Sequence, residues 1–467
     1  MDILSKKFKS LLGPKGWIPS SDSLPWQRDW LDQYGEIPLG VARPKSSEEL
    51  QAVLKLCNSE NIFAVPQGGN TGLVGSSVLN SSGGIIISLS RMNSILNLDI
   101  TSGTISVESG VILETLHSYL NDTQQMFPMH LGSEGSAQIG GLIATNAGGS
   151  HAFRYGMMQD LVLGLEVVLA DGTIWNGMRS VQKDNAGYQL RKVFCGSEGT
   201  LGVVSKAILK LVPKPKQSYT ALLAFEDASE LISTADNLRN ECGEFLSALE
   251  FFSDIGLEIA LNHIDNLIFP LQKRTKYYLL VELGSISKEV PLDNILTKEI
   301  EKGIEKNIIA DGSIASSESQ KKVFWRLRDE QPEGQKRLGP QLKHDLSVPP
   351  SKLVDFLISA DKICNQIMPN VKINSFGHIG DGNIHYNLSP PEGQKSFNNT
   401  EKEFAYELGK LVTKMGGSFA AEHGIGRSKI ELTDLLRDPV ERELMRKIKK
   451  SIDKKNNLNP DVLISIN

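Results

Sequence analysis

Cysteine is scarce and scattered in this chain: Cys57, Cys195, Cys242 and Cys364 are its four, and no two form a CxxC pair. That excludes a disulfide framework and a zinc ribbon, and fits buried thiols in a reducing compartment. No run approaches the roughly 20 apolar residues of a membrane span, so no transmembrane segment is expected. The opening MDILSKKFKSLLGPKGW carries cations but no apolar stretch of signal-peptide length. A cytoplasmic protein is therefore expected, with the mitochondrial matrix as the weaker alternative. Basic residues are not in excess: 50 Lys and Arg face 55 Asp and Glu, giving a net charge of −5. Nucleic acid is thus not an expected partner, and short runs such as Lys447-Ile448-Lys449-Lys450 read as a solvated helix face. Histidine is also rare, with 8 in 467 residues.

Three of those histidines fall in two short glycine-rich segments, Gly377-His378-Ile379-Gly380-Asp381-Gly382-Asn383-Ile384-His385-Tyr386-Asn387 and Ala421-Glu422-His423-Gly424-Ile425-Gly426. The first reads as a hairpin. Residues 371–378 and 384–389 alternate like strands, and Gly-Asp-Gly-Asn is turn chemistry. On one straight strand His378 and His385 would face opposite sides, whereas a turn between them lets both rings meet on one face, with Asn387 beside His385. An isolated HxxxxxxH pair is more often coincidence than a ligand pair. Here a Glu-His doublet follows in a second glycine run, and glycine beside several titratable groups points to close approach of a ligand. Two imidazoles and a carboxylate with one position open form the donor set of a catalytic divalent ion, most often Zn²⁺ or non-haem Fe(II).

At 467 residues the chain is too long for one core. Residues from about 36 to 215 are rich in glycine and short strands. Apolar runs at Ile62–Val65, Ile85–Leu89, Thr104–Val107 and Leu163–Leu169 alternate with helical stretches at 47–59 and 111–121, an α+β or α/β pattern. Pro213-Lys214-Pro215-Lys216 breaks the chain as a linker. Beyond it, strands are expected at 219–225 and 276–283, with helices at 228–240, 297–306, 352–367, 395–416 and 433–456. Gly-Ser-Glu-Gly occurs at both 132–135 and 196–199, which reads as coincidence.

Pro66-Gln67-Gly68-Gly69-Asn70-Thr71-Gly72-Leu73-Val74-Gly75 follows a short strand. Such a loop exposes backbone N–H groups that can cradle a pyrophosphate. It carries neither GxGxxG nor GK[ST], so it is not a Rossmann or P-loop fingerprint. Alone it would usually be only a turn. Two further segments, Gly132–Gly149 (GSEGSAQIGGLIATNAGG) and Lys183–Gly202 (KDNAGYQLRKVFCGSEGTLG), raise its weight.

Together these three segments resemble the flavin-binding signature of the vanillyl-alcohol oxidase / p-cresol methylhydroxylase (PCMH) superfamily. GHIGDGNIH and EHGIG resemble the FAD-linked oxidase C-terminal domain of D-2-hydroxyacid dehydrogenases, with D-2-hydroxyglutarate dehydrogenases the nearest in pattern. The resemblance covers the chain from about residue 37 onward. It implies an α+β protein: a two-subdomain PCMH-type FAD-binding domain at 1–215, an α+β cap or substrate domain with the metal site at 216–424, and a C-terminal helical segment at 425–467 returning to the FAD module. FAD would lie between the two subdomains, with the cap over the isoalloxazine. The implied flavin contacts are Pro66, Gly68, Gly69, Asn70, Thr71, Gly72, Leu73, Ser133, Ser136, Gly140, Gly141, Asn146, Gly148, Gly149, Glu198, Gly199 and Gly202. Some members tether the flavin through a histidine in the first loop. Gln67–Ser77 holds none, so noncovalent FAD is implied; His130 and His151 are the histidines near the other flavin segments.

The same resemblance assigns His378, His385 and Glu422 as metal ligands, Zn²⁺ foremost, and His423 as the general base. Arg328, in Trp325-Arg326-Leu327-Arg328-Asp329-Glu330, Lys343, in Lys343-His344-Asp345-Leu346-Ser347-Val348-Pro349, and Asn387 match substrate contacts. By composition alone the first of these segments is a solvated helix and the second an ordinary strand start. One departure stands out: Pro332 occupies a position where the glutarate enzymes have a threonine contact, and proline cannot donate a hydrogen bond. The implied activity is metal-assisted, FAD-dependent oxidation of a D-2-hydroxy acid. Lys343 favours a dicarboxylate such as D-2-hydroxyglutarate or D-malate. The alternatives are D-lactate or glycolate oxidation on the same fold, or a non-catalytic flavoprotein binding module. An electron-transferring flavoprotein, a cytochrome or a quinone would take the electrons, and a homodimer is compatible with the sequence.

Overall fold

The computed structural model describes residues 3–466, which divide into two compact units. One comprises 3–149, Tyr155–Pro213 and 422–466; the other comprises Ser150–Arg154 and Lys214–Ala421.

Among the described residues the first unit holds two larger sheets and a two-stranded pairing of Gln125–Met126 with Val212–Pro213. A four-stranded sheet runs in the order Trp17–Pro19, Gly40–Ala42, Ile85–Ser88, Ala64–Gln67, the last three strands mutually parallel. Parallel neighbours need a crossover, which the helix Ser47–Glu60 supplies between 40–42 and 64–67. Ser46 starts it, its hydroxyl accepting the Glu49 N–H, and Asn61 at φ 55° stops it in the left-handed region. Leu50, Val53, Leu54 and Cys57 recur at helical spacing and form its buried stripe. Burial pushes the Cys57 thiol up to about 12, as expected of an inert core cysteine.

An antiparallel five-stranded sheet follows, ordered Ile95–Asp99, Thr104–Glu108, Val203–Lys210, Val162–Val168, Ile174–Gly177. Val162–Val168 is buried at every residue, which is why it reads as a continuous apolar run. The closing helix, Pro439–Ile452, corrects one expectation. Lys449 is not solvated but 3% exposed, and its ammonium donates to Thr200 O, Leu458 O and Asp453 at 2.7–2.8 Å. A buried lysine is tolerable only with such a full set of acceptors.

The second unit is built on one antiparallel seven-stranded sheet, ordered Asp311–Ile314, Gln217–Phe225, Tyr277–Ser285, Leu246–Ser253, Lys372–His378, Asn383–Ser389, Asp345–Ser347. Register and period two place Leu222, Tyr278, Leu280, Phe252 and Phe376 on one face. There they pack against Leu257 of the helix Asp254–His263 and against Phe324 and Leu327 of Glu318–Asp329. Ala228–Cys242 and Leu353–Ile367 pack with the opposite face, where Phe356 meets Tyr386 edge-on at 5.6 Å. Among the described residues no helix is long and apolar enough to cross a membrane.

Candidate active site

The expected hairpin forms. Lys372–His378 pairs antiparallel with Asn383–Ser389, Phe376 opposite His385, Asn374 opposite Asn387 and His378 opposite Asn383. Residues 376 and 378 share a face, so both histidines point the same way, their ring centroids 5.6 Å apart. Gly377, at φ 152°, leaves no room for a side chain: a Cβ would sit 2.4 Å from Asn383 O. Gly382, at φ 84°, closes the turn.

Two carboxylates from neighbouring strands flank the rings, and one of them is hydrogen-bonded. Leu246–Ser253 pairs with the hairpin so that Glu250 lies opposite His378. Its Oε1 is 2.6 Å from His378 Nδ1, and its Oε2 accepts the Arg328 Nε–H at 2.8 Å. The carboxylate can only accept, which makes His378 Nδ1 the donor of this bond. On the other side Asp345, opposite His385 in register, lies 3.7 Å from His385 Nδ1 and accepts from Asn383 Nδ2 at 3.0 Å. Glu250 is 1% exposed and Asp345 fully buried.

Arg328 departs from the solvated-helix reading of its segment. Arg326 is half-buried, but Arg328 is only 7% exposed, with its guanidinium 4.7 Å above the Phe376 ring. Glu250 takes its Nε, which leaves the planar Nη fork suited to a carboxylate. Asn387 is 3% exposed on the same sheet face. Lys343 precedes the Asp345 strand, and burial, followed by the Lys336 charge, lowers its ammonium to about 8. Pro332 sits in the first turn of Gln331–Leu338. Gln331 and Asn374 come so close to Gly256 that a Cβ there would lie 2.1 and 1.9 Å from their amide oxygens.

The chain leaves this unit beside the same sheet edge. Ser347 and Ser418 exchange backbone hydrogen bonds at 2.8 and 2.9 Å, and the Ala421 N–H donates to Asp345 O at 3.4 Å. Glu422 and His423 are the next two residues and belong to the first unit. Within that unit, Gly424 and Gly426 turn at φ 82° and 53°. Glu198 receives the Ile425 N–H at 2.9 Å and the Gly426 N–H at 2.9 and 3.1 Å. Burial raises the Glu198 carboxyl while these bonds oppose the rise. A Cβ on Gly148 would fall 2.3 Å from Glu422 Oε1.

The flavin-signature residues of the first unit converge in part. A Cβ on Gly69 would lie 2.0 Å from Ser136 O, one on Gly68 3.4 Å from Gly141 Cα, and one on Gly199 3.1 Å from Pro66. At Gly72, Gly132 and Gly141 nothing lies within 4 Å of that position, so the apposed loops keep open space a flat or extended cofactor can fill. Asn70 and Asn146 hold left-handed φ values of 55° and 50°, their amides bonded to Arg28 O, Ser77 and the Gln159 N–H. Ser133 O closes the turn at Ser136 and Ala137. Gly140 packs against Ser109, and Gly202 against Val167 and Phe194. Thr71 and Leu73 are half-buried in the loop, and Gly149, at φ 143°, backs onto His130 O. His151 belongs to the second unit, 4.0 Å from Glu282.

Glu250 was not anticipated from sequence. Its signal was a lone carboxylate in the apolar run Ala248-Leu249-Glu250-Phe251-Phe252. The two Gly-Ser-Glu-Gly copies play different parts, Glu198 binding backbone and Glu134 facing His117 and His130.

Two family models match the chain in succession. A model described as "FAD binding domain" matches residues 38–177, and "FAD linked oxidases, C-terminal domain" matches 214–463. The mitochondrial D-2-hydroxyglutarate dehydrogenase of Arabidopsis thaliana is 35% identical over 457 residues, covering 97% of this chain and 80% of its own length. A D-2-hydroxyglutarate–pyruvate transhydrogenase of Saccharomyces cerevisiae is 33% identical, covering 93% and 88%. A solved p-cresol methylhydroxylase superposes with a TM-score of 0.76 at 19% identity, over 98% of this chain and 95% of the other, which shows a shared fold.

Proposed function

Because the chain belongs to the FAD-linked oxidases, we propose that it is an FAD-dependent dehydrogenase that oxidises a D-2-hydroxy dicarboxylate, D-2-hydroxyglutarate or D-malate, to the 2-oxo acid with the help of a divalent ion. The observation that carries this reading is the pair of histidines turned to one sheet face, with Glu250 linking His378 to the buried Arg328.

His378 Nε2 and His385 are the neutral imidazoles of a Zn²⁺-type donor set, and Glu422 is the carboxylate that completes it. The residues fit such an ion: one ring is already oriented through its second nitrogen, as ligating histidines usually are. Bound there, the ion supplies Lewis acidity that lowers the pKa of the substrate hydroxyl. Noncovalent FAD, held by the apposed 66–72, 133–149 and 198–202 segments, supplies the hydride acceptor. His423 takes the hydroxyl proton as general base. Arg328 receives one carboxylate on its Nη fork, and Lys343 and Asn387 hold the other polar ends. Electrons then pass to a separate carrier, of electron-transferring flavoprotein, cytochrome or quinone type. The Arabidopsis relative is named as mitochondrial, which favours the matrix over the cytoplasm for this chain as well.

An anaerobic screen of D- and L-2-hydroxy acids against the holoprotein tests the reading. Flavin absorbance should bleach with D-2-hydroxyglutarate or D-malate and persist with their L-enantiomers. Bleaching by neither D-dicarboxylate would overturn it.

A further inference from the structure

A second cluster of metal-type donors lies within the first unit and takes no part in the function above. His117 is on the helix Leu113–Leu120, and His130 and Glu134 are on the segment that follows. Glu134 Oε2 is 3.6 Å from His117 Nδ1 and 3.3 Å from His130 Nδ1, and the two rings are 4.6 Å apart. All three donor atoms lie within 4.8 Å of one another. A tetrahedral ion with bonds of about 2.0–2.1 Å spaces its donors roughly 3.3–3.4 Å apart, close to both carboxylate distances.

The scaffold is firm. The Leu113 N–H donates to Ala137 O at 2.9 Å and the Glu114 N–H to Glu134 O at 3.1 Å, so the helix start and the Glu134 turn are tied together. The His117 side chain is 18% exposed, and its Nε2 is buried without a hydrogen bond. The Phe127 and Met129 carbonyls stand beside that ring, and Nδ1 is the nitrogen facing Glu134. Two charged imidazoles at this spacing would repel each other across one carboxylate. A divalent cation satisfies both nitrogen lone pairs and the carboxylate at once. The His130 and Glu134 side chains are 45% and 37% exposed, which leaves room for water as a fourth ligand.

We propose that His117, His130 and Glu134 form a second divalent-metal site, of Zn²⁺ type, that clasps the 113–120 helix to the 130–137 segment. That segment carries Ser133 and Ser136, so the ion braces part of the flavin-binding surface rather than taking part in the oxidation.

The test compares FAD-loaded wild-type protein with His385→Ala, His130→Gln/Glu134→Gln and the triple variant after dialysis against buffered Zn²⁺. Bound zinc is counted by mass spectrometry, and thermal midpoints are recorded with and without Zn²⁺. Both changes in the double variant are at half-exposed residues, and FAD content and circular dichroism verify its fold. The double variant should bind about one Zn²⁺ per chain fewer than wild type, and His385→Ala should keep the ion that the triple variant lacks. Zinc should raise the midpoint of His385→Ala but not of the triple variant. Equal zinc in wild type and double variant would overturn the proposal. Equal zinc in wild type and His385→Ala, with a loss in the double variant, would uphold it while removing the His378–His385 ion from the proposed function.

Discussion

Glu250 and His378 face each other across adjacent strands, carboxylate oxygen to Nδ1 at 2.6 Å, and the other oxygen of the same carboxylate holds Arg328 at 2.8 Å. One buried anion therefore sets the ring of a metal-type histidine and the head of a substrate-type arginine together. Glu250→Gln keeps the shape and removes the charge. Metal affinity should fall about 10–100-fold, the usual cost of losing such a partner. Removing one member of a buried ion pair should also cost about 3–5 kcal/mol, visible as a lower thermal midpoint. Zinc titration and calorimetry read the two effects separately. Unchanged zinc affinity would show that Glu250 does not orient a ligand.

Lys343 yields a pH prediction with a definite sign. Burial, then Lys336, lowers its ammonium to about 8, so the cation is present below that pH and lost above it. For a D-dicarboxylate, kcat/KM should fall by up to about tenfold per pH unit above about 8, while D-lactate should show no such step. Hydrogen bonds to charged groups contribute roughly 1.5–3 kcal/mol, so Lys343→Met should cost the dicarboxylate at least about tenfold and abolish the step. Folding stability runs the other way. The unfolded chain holds this proton to about pH 10, so the group's contribution to stability rises with pH from about 8 to about 10. Equal losses for both substrates would remove Lys343 from the role of distal clamp.

Glu198 holds the loop that follows His423. Its carboxylate takes the Ile425 and Gly426 N–H groups, and Gly424 passes so close that a Cβ there would lie 2.7 Å from Glu198 Oε1. Glu198→Ala would leave these amides without an acceptor, at about 1–3 kcal/mol. Because the disturbed loop carries the proposed base and not the substrate clamps, kcat should fall roughly tenfold or more with a smaller change in KM. Rescue by Glu198→Gln, which keeps one acceptor oxygen, is the expected companion result. A loss confined to KM would contradict this placement.

Removing the ion should separate the two cofactors. Chelation of the holoprotein, or His385→Ala, should lower turnover by at least about a hundredfold while leaving the flavin bound. Readdition of Zn²⁺ should restore the chelated wild type but not the variant. Full turnover by metal-free protein would show that the histidine pair serves another end.

The flavin should leave intact. Gln67–Ser77 has no histidine, and His130 faces Glu134, so acid precipitation should release free FAD into the supernatant. Yellow colour remaining with the pellet would reveal a covalent bond elsewhere.

What could be read from sequence was whatever local rules govern. The 372–389 hairpin followed from period-two alternation and a Gly-Asp-Gly-Asn turn, and those two facts alone bring His378 and His385 to one face. The helices at 47–60 and 353–367 likewise followed from apolar spacing. Tertiary structure decided what those histidines face. Glu250 is 128 residues from His378, and no local pattern encodes the strand order that makes them neighbours. Arg326 and Arg328 are two apart on one charged helix, yet only packing against Phe376 and Glu250 buries the second. The same holds for Lys449, whose acceptors include Thr200, 249 residues away. Side-chain direction is set by backbone periodicity, which is local. The burial and partners that give a charge its chemistry come from segments distant in the chain, and only the folded sheet brings them together.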